Sequence, residues 1–557
     1  MTGKKPIQFK QNMIEISEKK NIAFPELNDN QIAIIEKFAE LKYFKQGETI
    51  FEAGKPNRKF FAIKKGQVEI VQKLTDEQKT ITIHSAREFT GDPTTILSGT
   101  PSIASAIAVV DCEIYAVSNQ DLKKILREIP TVGDVILQAF LARQTIAEEA
   151  QIGIEIIGSR YCCNTFRVRD FLAKNLIPHR WIDIEDNSEV QNILKELEIE
   201  TEQTPVVICS DNLILKNPSN EELGKALNLK KSLDDRQIFD IAIIGAGPAG
   251  LSAAVYAASE GLKTVVLEKD SPGGQASWSA KIENYMGFPV SLSGIELTNR
   301  ATIQAKKFGA VFSIPAEVVN MELNSDYKTL ELADGQKITA KNILITTGAT
   351  YRQLPAEGCD RFMDAGVYYS ATDVEALMCH SPTAIVVGGA NSAGEAAIFL
   401  AEYAEKVMLL IRGDDLSKSM SEYLIARIKS NDKITILTNT EIGKLKGDRI
   451  LESVEIFNNQ TGATQTLETN AVYIFIGVVP HTDWLPAEIK LDQNGFIKTG
   501  RQISKSEYGY GSRAPFFLET SYPGVFAAGD VRSQSIKRVT SAVGEGATVV
   551  QYALEIL

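Results

Sequence analysis

Phe239-Asp-Ile-Ala-Ile-Ile-Gly-Ala-Gly-Pro-Ala-Gly250 runs a short apolar strand into a glycine-rich turn, and Ala384-Ile-Val-Val-Gly-Gly-Ala-Asn-Ser-Ala-Gly394 does so again. Each turn opens a helix. Each is followed by a second apolar strand, and the two strands close on opposite charges, Glu268 and Arg412. Glycines at Gly245, Gly247 and Gly250, and again at Gly388, let a backbone turn tightly and approach a pyrophosphate at a helix N-terminus. Pro248 stands at the first helical position, where a missing N–H leaves nothing unpaired. Glu268 lies 23 residues beyond Gly245 and Arg412 lies 24 beyond Gly388, the spacing at which such a unit meets the adenosine ribose. A carboxylate there accepts from a free ribose diol, whereas a guanidinium suits a 2′-phosphate. The contrast predicts two dinucleotides on one chain, FAD or NAD at the first turn and NADP at the second.

The bulk properties narrow the setting. A length of 557 residues suggests three or four domains. The net charge of −12 argues against a nucleic-acid partner, which wants a basic surface. No run approaches the ~18 apolar residues of a membrane span. Met1-Thr-Gly-Lys-Lys-Pro leads into mixed polar residues, so no signal peptide is expected. Six irregularly spaced cysteines do not make a disulfide scaffold. A cytoplasmic, reducing setting is expected, with no metal and no membrane.

Residues 1–150 read as short strands broken by glycines, flanked by helices at Gln120–Glu128 and Val132–Glu149, as in a β jelly roll. Gly47-Glu-Thr-Ile-Phe, Gly54, Phe61-Ala-Ile, Gly66-Gln-Val-Glu-Ile, Phe89-Thr-Gly-Asp-Pro and Gly99-Thr-Pro follow in order. This order resembles a cyclic-nucleotide-binding domain. In that family a Gly-Glu pair holds the ribose and an arginine about ten residues later neutralises the phosphate. Here the acid is Asp92, the arginine's place falls at Ser102 or Ile103, and no lysine or arginine occurs between Arg87 and Lys123. A buried phosphate would lack its counter-charge, so a cyclic nucleotide is not expected as a ligand and a docking or dimerisation module is the alternative.

Residues 151–232 alternate Ile154-Glu-Ile-Ile, a helix at Phe166–Asn175, Arg180-Trp-Ile-Asp-Ile, a helix at Glu189–Leu197, Thr204-Pro-Val-Val-Ile-Cys, Leu213-Ile-Leu and a helix at Glu221–Leu227. The order resembles the thioredoxin/glutaredoxin fold, with Thr204-Pro205 in place of that family's cis-proline. Aligned on the first helix, Cys162 takes the first thiol position and Thr165 the second, a monothiol arrangement. A thiol at a helix N-terminus has its thiolate favoured by the macrodipole, which makes Cys162 a candidate catalytic residue. Adjacent Cys163 is a poor partner, because a vicinal disulfide strains the backbone. The alternative is a redox-silent adaptor.

From residue 236 onward the chain resembles the low-molecular-weight thioredoxin reductases. The matching pieces are Gly245–Gly250, Pro272-Gly-Gly-Gln275, Ile282-Glu-Asn-Tyr, Gly287-Phe-Pro289, Thr346-Thr-Gly-Ala349, Gly388–Ala393, Phe475-Ile-Gly477 and Val525-Phe-Ala-Ala-Gly-Asp530. The resemblance implies a split FAD-binding domain, 236–352 and 478–557, with an NAD(P)H-binding domain at 353–477 inserted. It implies FAD contacts from Gly245, Gly247, Pro248, Ala249, Gly250, Glu268, Lys269, Gly274, Gln275, Asn284, Val318, Thr347, Gly348, Gly529 and Asp530. Lys537 and Arg538 fall where the family places Arg-Gln near the isoalloxazine. On the nicotinamide side it implies Gly388, Asn391, Ser392, Ala393, Arg412, Ile476 and Gly477. A homodimer is implied as well.

Two departures bear on function. The family carries Cys-Ala-Thr-Cys before the second glycine turn; here Tyr369-Ser-Ala-Thr-Asp-Val-Glu375 puts Ser370 and Asp373 in the cysteines' places. Neither forms a disulfide. Cys379 and Cys359 are the nearby thiols, and Cys379 joins Cys162 as a catalytic candidate. The second turn has Ala390 for a glycine, and the family's His-Arg-Arg and later Arg appear as Ile411, Arg412, Gly413 and Ser417, with Lys418 next. One arginine and a nearby lysine can still grip a 2′-phosphate, though less firmly than three arginines, so NADPH is expected ahead of NADH.

The fold class expected is multidomain: a β jelly roll, a thioredoxin-like α/β unit, and an α/β module of two dinucleotide-binding domains. The resemblance implies an FAD-dependent NAD(P)H oxidoreductase passing electrons to a disulfide- or thiol-linked acceptor, such as a thioredoxin-like protein or a small disulfide. A ferredoxin or flavodoxin reductase, and a flavin-based sensor with a regulatory N-terminal part, are the alternatives.

Overall fold

The computed structural model describes residues 21–557 apart from 58, 75–76, 92–93, 151, 186–199, 201–202, 211–212, 232, 235, 280–281, 283, 325, 364, 370, 372–375, 377–382 and 509–512. Asp92, Ser370, Asp373, Cys379 and the expected helix Glu189–Leu197 thus lie outside the described residues. The chain divides into two compact units. One comprises Met1–Gly158, Val168–Ser232 and Ile303–Pro315; the other comprises Ser159–Arg167, Leu233–Thr302 and Ala316–Leu557.

The first unit begins as a β-sandwich. One antiparallel sheet orders Ala39–Phe44, Cys112–Ser118 and Lys59–Lys65; the other orders Thr49–Phe51, Ser105–Ala108, Gln67–Leu74 and Glu77–Ser85. Successive side chains of a strand point to opposite faces, and Lys59–Lys65 uses both. Phe61 and Ile63 pack with Val68, Ala106, Ala108 and Ile114 between the sheets. Phe60 and Ala62 face a second core with Leu122, Ile125, Leu126, Ile136 and Phe140 from the helices Asn119–Glu128 and Pro130–Glu149. Ile303 joins this second core as well.

In the same unit a four-stranded sheet orders Leu213–Lys216, Val206–Ser210, Ile154–Gly158 and His179–Asp183. Its last two strands are parallel and Val206–Ser210 runs against its neighbours. The Thr204-Pro205 peptide that enters Val206–Ser210 is cis. The helix expected from Phe166 starts earlier, at Cys163, because its first turn is polar and carries no apolar periodicity.

The second unit holds two parallel α/β sheets. In the first, Thr264–Leu267, Ile238–Ile244, Lys337–Ile345 and Val525–Ala527 lie side by side and parallel. Lys328–Leu332 and Val318–Leu323 extend the sheet as antiparallel strands. In the second, the order is Val367–Tyr368, Ala471–Ile474, Thr383–Val387, Lys406–Leu410 and Ile434–Leu437, all parallel. The strands are near-continuous apolar runs because both faces of a parallel sheet are covered. Between the sheets the chain leaves along Ala349–Tyr351 and returns along Val478–Pro480, which pair antiparallel. Among the described residues no helix is long and apolar enough to cross a membrane, and none of the His, Cys, Asp and Glu side chains group as a metal site.

Candidate functional site

The two glycine turns are built alike. Gly245 donates its N–H to Leu267 O at 2.8 Å, and Gly388 donates to Leu410 O at 2.9 Å. Both have positive φ, +101° and +142°, and both lie under the carbonyl that follows the third parallel strand. A β-carbon on Gly245 would come within 2.5 Å of Thr346 O, and one on Gly388 within 2.3 Å of Phe475 O. Gly250 is equally confined, 2.0 Å from Gly245 O. These glycines allow close packing of turn, helix and strand. Gly247 differs: the space above it is open, with nothing nearer a β-carbon than Gly274 Cα at 3.9 Å. It caps the helix Pro248–Ser259, with Pro248 at its first position.

Around the first turn the polar groups converge. Glu268 Oε2 accepts the Ala246 N–H at 2.7 Å and Oε1 accepts the Asp270 N–H at 2.9 Å. Burial pushes the Glu268 carboxyl up despite those two bonds. Lys269, by contrast, points to Glu317 at 3.4 Å on the surface. The Ala316 amide, two residues before buried Val318, donates to Glu268 O at 2.7 Å. Pro272-Gly-Gly-Gln275 folds against the turn: Gly273 donates to Ala246 O at 2.8 Å, Gly274 abuts Gly247, and Gln275 Nε2 bonds to Ala349 O. Thr347 Oγ1 donates to His481 O at 3.2 Å, and Gly348 beside it, at φ +65°, faces open space. Asn284 is exposed.

A second helix meets the start of the first. Gly546, in the helix Val539–Ile556, would put a β-carbon 2.1 Å from Ala249 O, so the two helices touch backbone to backbone. Gly529 donates to Glu545 Oε2 at 2.7 Å, and Arg532 grips the same carboxylate through Nε and Nη2. Glu545 thereby fixes the turn that presents Asp530. Burial raises the Asp530 carboxyl, with Lys537 opposing and Glu545 adding to the rise. Lys537 Nζ donates to Asp530 O at 3.2 Å and sits 4.5 Å over the Phe496 ring. Arg538 precedes the helix and is exposed. Sequence reasoning missed Ala246, Thr346 and Glu545, each of which bonds to a backbone group or through one.

At the second turn Ala390 has φ −101°, an extended conformation open to any residue, so the missing glycine costs nothing in strain. Asn391 Oδ1 accepts the Ser421 N–H at 2.7 Å, and Ser419 Oγ donates to Gly389 O at 2.8 Å, folding the loop after Arg412 onto the turn. Ser392 is exposed and Ala393 buried at the start of the helix Asn391–Leu400. Ile476 packs against the core and Gly477 accepts the Arg352 N–H at 2.9 Å. Arg412 is exposed, with its carbonyl held by Asn459. Lys418 is engaged with Asp414 at 2.6 Å.

The cysteines sort by burial. Cys209 is pushed up to about 12, and burial also raises Cys112 and Cys359. Such thiols resist ionisation and are poor nucleophiles. Cys162 is half-buried at the end of a turn, its N–H donating to Ser159 O at 3.1 Å and its carbonyl accepting from Phe166 at 3.2 Å, immediately ahead of the helix Cys163–Lys174. Thr165, at the second thiol position, is buried with its hydroxyl unpaired among the described residues.

The open space at Gly247 and Gly348, the acid at Glu268 and the confined glycines beneath fit a dinucleotide pyrophosphate and ribose, and the same design recurs at Gly388. Such a pair defines a flavin- and pyridine-nucleotide-linked oxidoreductase. Residues 239–546 match the family of pyridine nucleotide-disulphide oxidoreductases, and residues 41–128 match the cyclic nucleotide-binding domain. The thioredoxin reductase of Mycoplasmopsis pulmonis is 33% identical over 316 residues, 56% of this chain and 96% of that protein. That of Listeria innocua is 32% identical over 320 residues, covering 57% and 94%. The crystal structure of Lactococcus lactis thioredoxin reductase in its FR conformation is 30% identical with a TM-score of 0.51, covering 57% of this chain and 98% of that one. The T. acidophilum thioredoxin reductase is 29% identical, also with a TM-score of 0.51, covering 58% and 100%. The chain belongs to the pyridine nucleotide-disulphide oxidoreductase family, among its thioredoxin reductase-like members, and is an FAD-dependent NAD(P)H oxidoreductase carrying an N-terminal cyclic-nucleotide-binding-type domain. The expected multidomain class holds for the cyclic-nucleotide-binding-type N-terminal domain and the thioredoxin reductase-like FAD/NAD(P) module.

Proposed function

We propose that this flavoprotein takes electrons from NADPH and delivers them to a disulfide- or thiol-linked acceptor, with Cys162 as the chain's own thiol and Cys379 as the second candidate. Bound FAD supplies the two-electron centre between nicotinamide and acceptor. The protein's residues supply the rest: Gly247 and Gly274 admit the pyrophosphate, Glu268 receives the ribose, Asp530 and Lys537 flank the flavin, and Arg412 meets the 2′-phosphate. The observation that carries the proposal is the place of Cys162. Its segment Ser159–Arg167 groups with the flavoprotein residues rather than with the four-stranded sheet that precedes and follows it in sequence. The four-stranded sheet and cis-Pro205 support a thioredoxin-like reading of residues 151–232, and the relatives named thioredoxin reductase support a thioredoxin-like protein or a small disulfide as acceptor. The proposed organisation is 1–150, 151–232, 236–352 with 478–557, and 353–477, in a cytoplasmic homodimer.

A cyclic nucleotide is not the proposed ligand of the N-terminal domain. Ser102, at the arginine's place, is buried and donates to Ala104 O at 2.8 Å. Arg143 spends its guanidinium on the Ala23, Phe89 and Gly91 carbonyls, each at 2.8 Å.

The test is NADPH-driven reduction of a disulfide dye by the purified protein, repeated with Cys162→Ser, Cys379→Ser and the double variant. Loss of turnover in the double variant is expected; undiminished turnover refutes the thiol route. A second reading, a ferredoxin or flavodoxin reductase, is favoured by Ser370 and Asp373 standing where the dithiol would be. Fast ferricyanide reduction without disulfide reduction would select it.

A further inference from the structure

We propose that the cleft between residues 491–498 and the loop 532–537 is a binding site for a small carboxylate that also carries amide groups. The cleft encloses about 570 Å³, within the range of small-molecule sites. It lies wholly in the second compact unit. Among the described residues that line it, Lys537 alone is also a proposed flavin contact. The inference rests on the flavoprotein reading only in placing Lys537 beside the flavin. Residues 491–498 form a tight hairpin, in which Asp492 N–H donates to Phe496 O at 2.8 Å and Asp492 Oδ1 accepts the Asn494 and Phe496 amides at 2.8 and 3.1 Å. The loop is tied to it: Ser533 donates its N–H to Ile497 O at 2.8 Å and its hydroxyl to Asp492 Oδ2 at 2.6 Å.

Most charges of the cleft are already engaged. Arg532 is bound to Glu545, and Lys498 to Glu507 at 3.1 Å. Asp492 has three of its roughly four acceptor positions filled. Lys537 is left. Its Nζ lies 4.5 Å over the Phe496 ring and gives one of an ammonium's three N–H bonds to Asp530 O at 3.2 Å. Among the described residues no carboxylate oxygen comes within 4.0 Å of it. Burial lowers the Lys537 ammonium, with the Asp530 charge opposing, and a desolvated cation gains most from an anion set against it. One available ammonium suits a singly charged carboxylate; the second charge of a phosphate would face Asp492 unpaired. Gln493, Asn494 and Gln534 line the cleft with carboxamides, which match amides on the ligand. Ser535, also in its lining, has its hydroxyl buried with no partner among the described residues. A ligand acceptor reached by a change of χ1 rotamer would satisfy it. Gln534 between the two serines is left-handed, φ +57°, which is uncommon for a residue other than glycine. Such strain persists where its surroundings over-determine it, and it collects at ligand sites.

Calorimetry of the FAD-loaded full chain with S-methylglutathione, a carboxylate peptide that cannot be reduced, tests the site without turnover. Saturable binding is expected. Its dimethyl ester keeps the amides, lacks the carboxylates and should not bind. Lys537→Met should weaken binding about tenfold or more, the loss of one charge-assisted hydrogen bond, and Lys537→Arg should retain most of it. Flavin content and Tm of the same samples show that each variant is folded. Oxidised glutathione then tells an acceptor from a ligand. In the first case its S–S bond breaks as NADPH gives a hydride and solvent one proton, leaving NADP+ and two thiols. Lys537→Met should then raise its KM more than that of uncharged bis(2-hydroxyethyl) disulfide. In the second case it competes with S-methylglutathione and is not reduced, so the site stands and the disulfide route of the proposed function fails alone. No saturable binding of either peptide, equal binding of the ester, or an affinity unchanged in Lys537→Met overturns the proposal.

Discussion

Glu268 Oε2 accepts the Ala246 amide at 2.7 Å, so the acid that ends the second strand is tied back onto the turn that opens the first helix. The carboxylate is thereby fixed before the turn is filled, where it would accept from the proposed ribose diol. Removing it strands two backbone donors, the Ala246 and Asp270 amides, and deletes the proposed acceptor for the sugar. Hydrogen bonds to charged groups contribute about 1.5–3 kcal/mol, so Glu268→Ala should weaken FAD binding by roughly 10–100-fold. Flavin released on dilution, read by fluorescence, measures it.

Gly546 and Ala249 touch backbone to backbone. Gly546→Ala forces the helices Val539–Ile556 and Pro248–Ser259 apart, and such overpacking costs about 1–3 kcal/mol. Since both helix starts border the proposed flavin site, FAD content should fall along with the urea midpoint. A variant with full flavin and unchanged midpoint would show that the contact is not tight.

Arg412 is the cation proposed for the second ribose position, and Lys418 is held by Asp414 at 2.6 Å. Arg412→Ala should raise KM for NADPH several-fold while leaving that for NADH nearly unchanged. Asp414→Asn frees Lys418 and removes a repelling charge, so it should shift preference further toward NADPH. Parallel kinetics with the two nucleotides give both ratios.

The two dinucleotide units were the most legible part of the sequence, because their function demands particular residues at fixed spacing. Gly245, Gly388, Glu268 and Arg412 could be placed from strand, turn and charge alone. What supports them was hidden: Phe475 and Ala246 act through backbone atoms, which carry no residue signature, and Thr346 adds a hydroxyl that donates to the Ile244 and Gly245 carbonyls, 102 and 101 residues away. Glu545 was missed because its partners, Gly529 and Arg532, lie 16 and 13 residues away and no local pattern links them. The helix at Cys163 began earlier than its apolar periodicity suggested, since a polar first turn writes no period.

Lys306 gives a pH dependence whose sign is fixed. Its folded value of about 7 lies below the ordinary lysine range, so between about 7 and about 10.4 the unfolded chain binds more protons. Stability therefore rises with pH through that window and is lowest, from this group, below it. Burial is the larger cause, and the charges of Lys231 and Lys123 act in the same direction. Lys306→Met should flatten the rise and raise Tm most at pH 6 to 7.

Anaerobic titration of the purified protein with NADPH, followed in the visible spectrum, tests the two-dinucleotide assignment most directly. A yellow protein carrying one FAD per chain, bleached by about one equivalent of NADPH and less readily by NADH, is expected. A protein that remains colourless when offered FAD, or whose flavin neither nucleotide reduces, would contradict it.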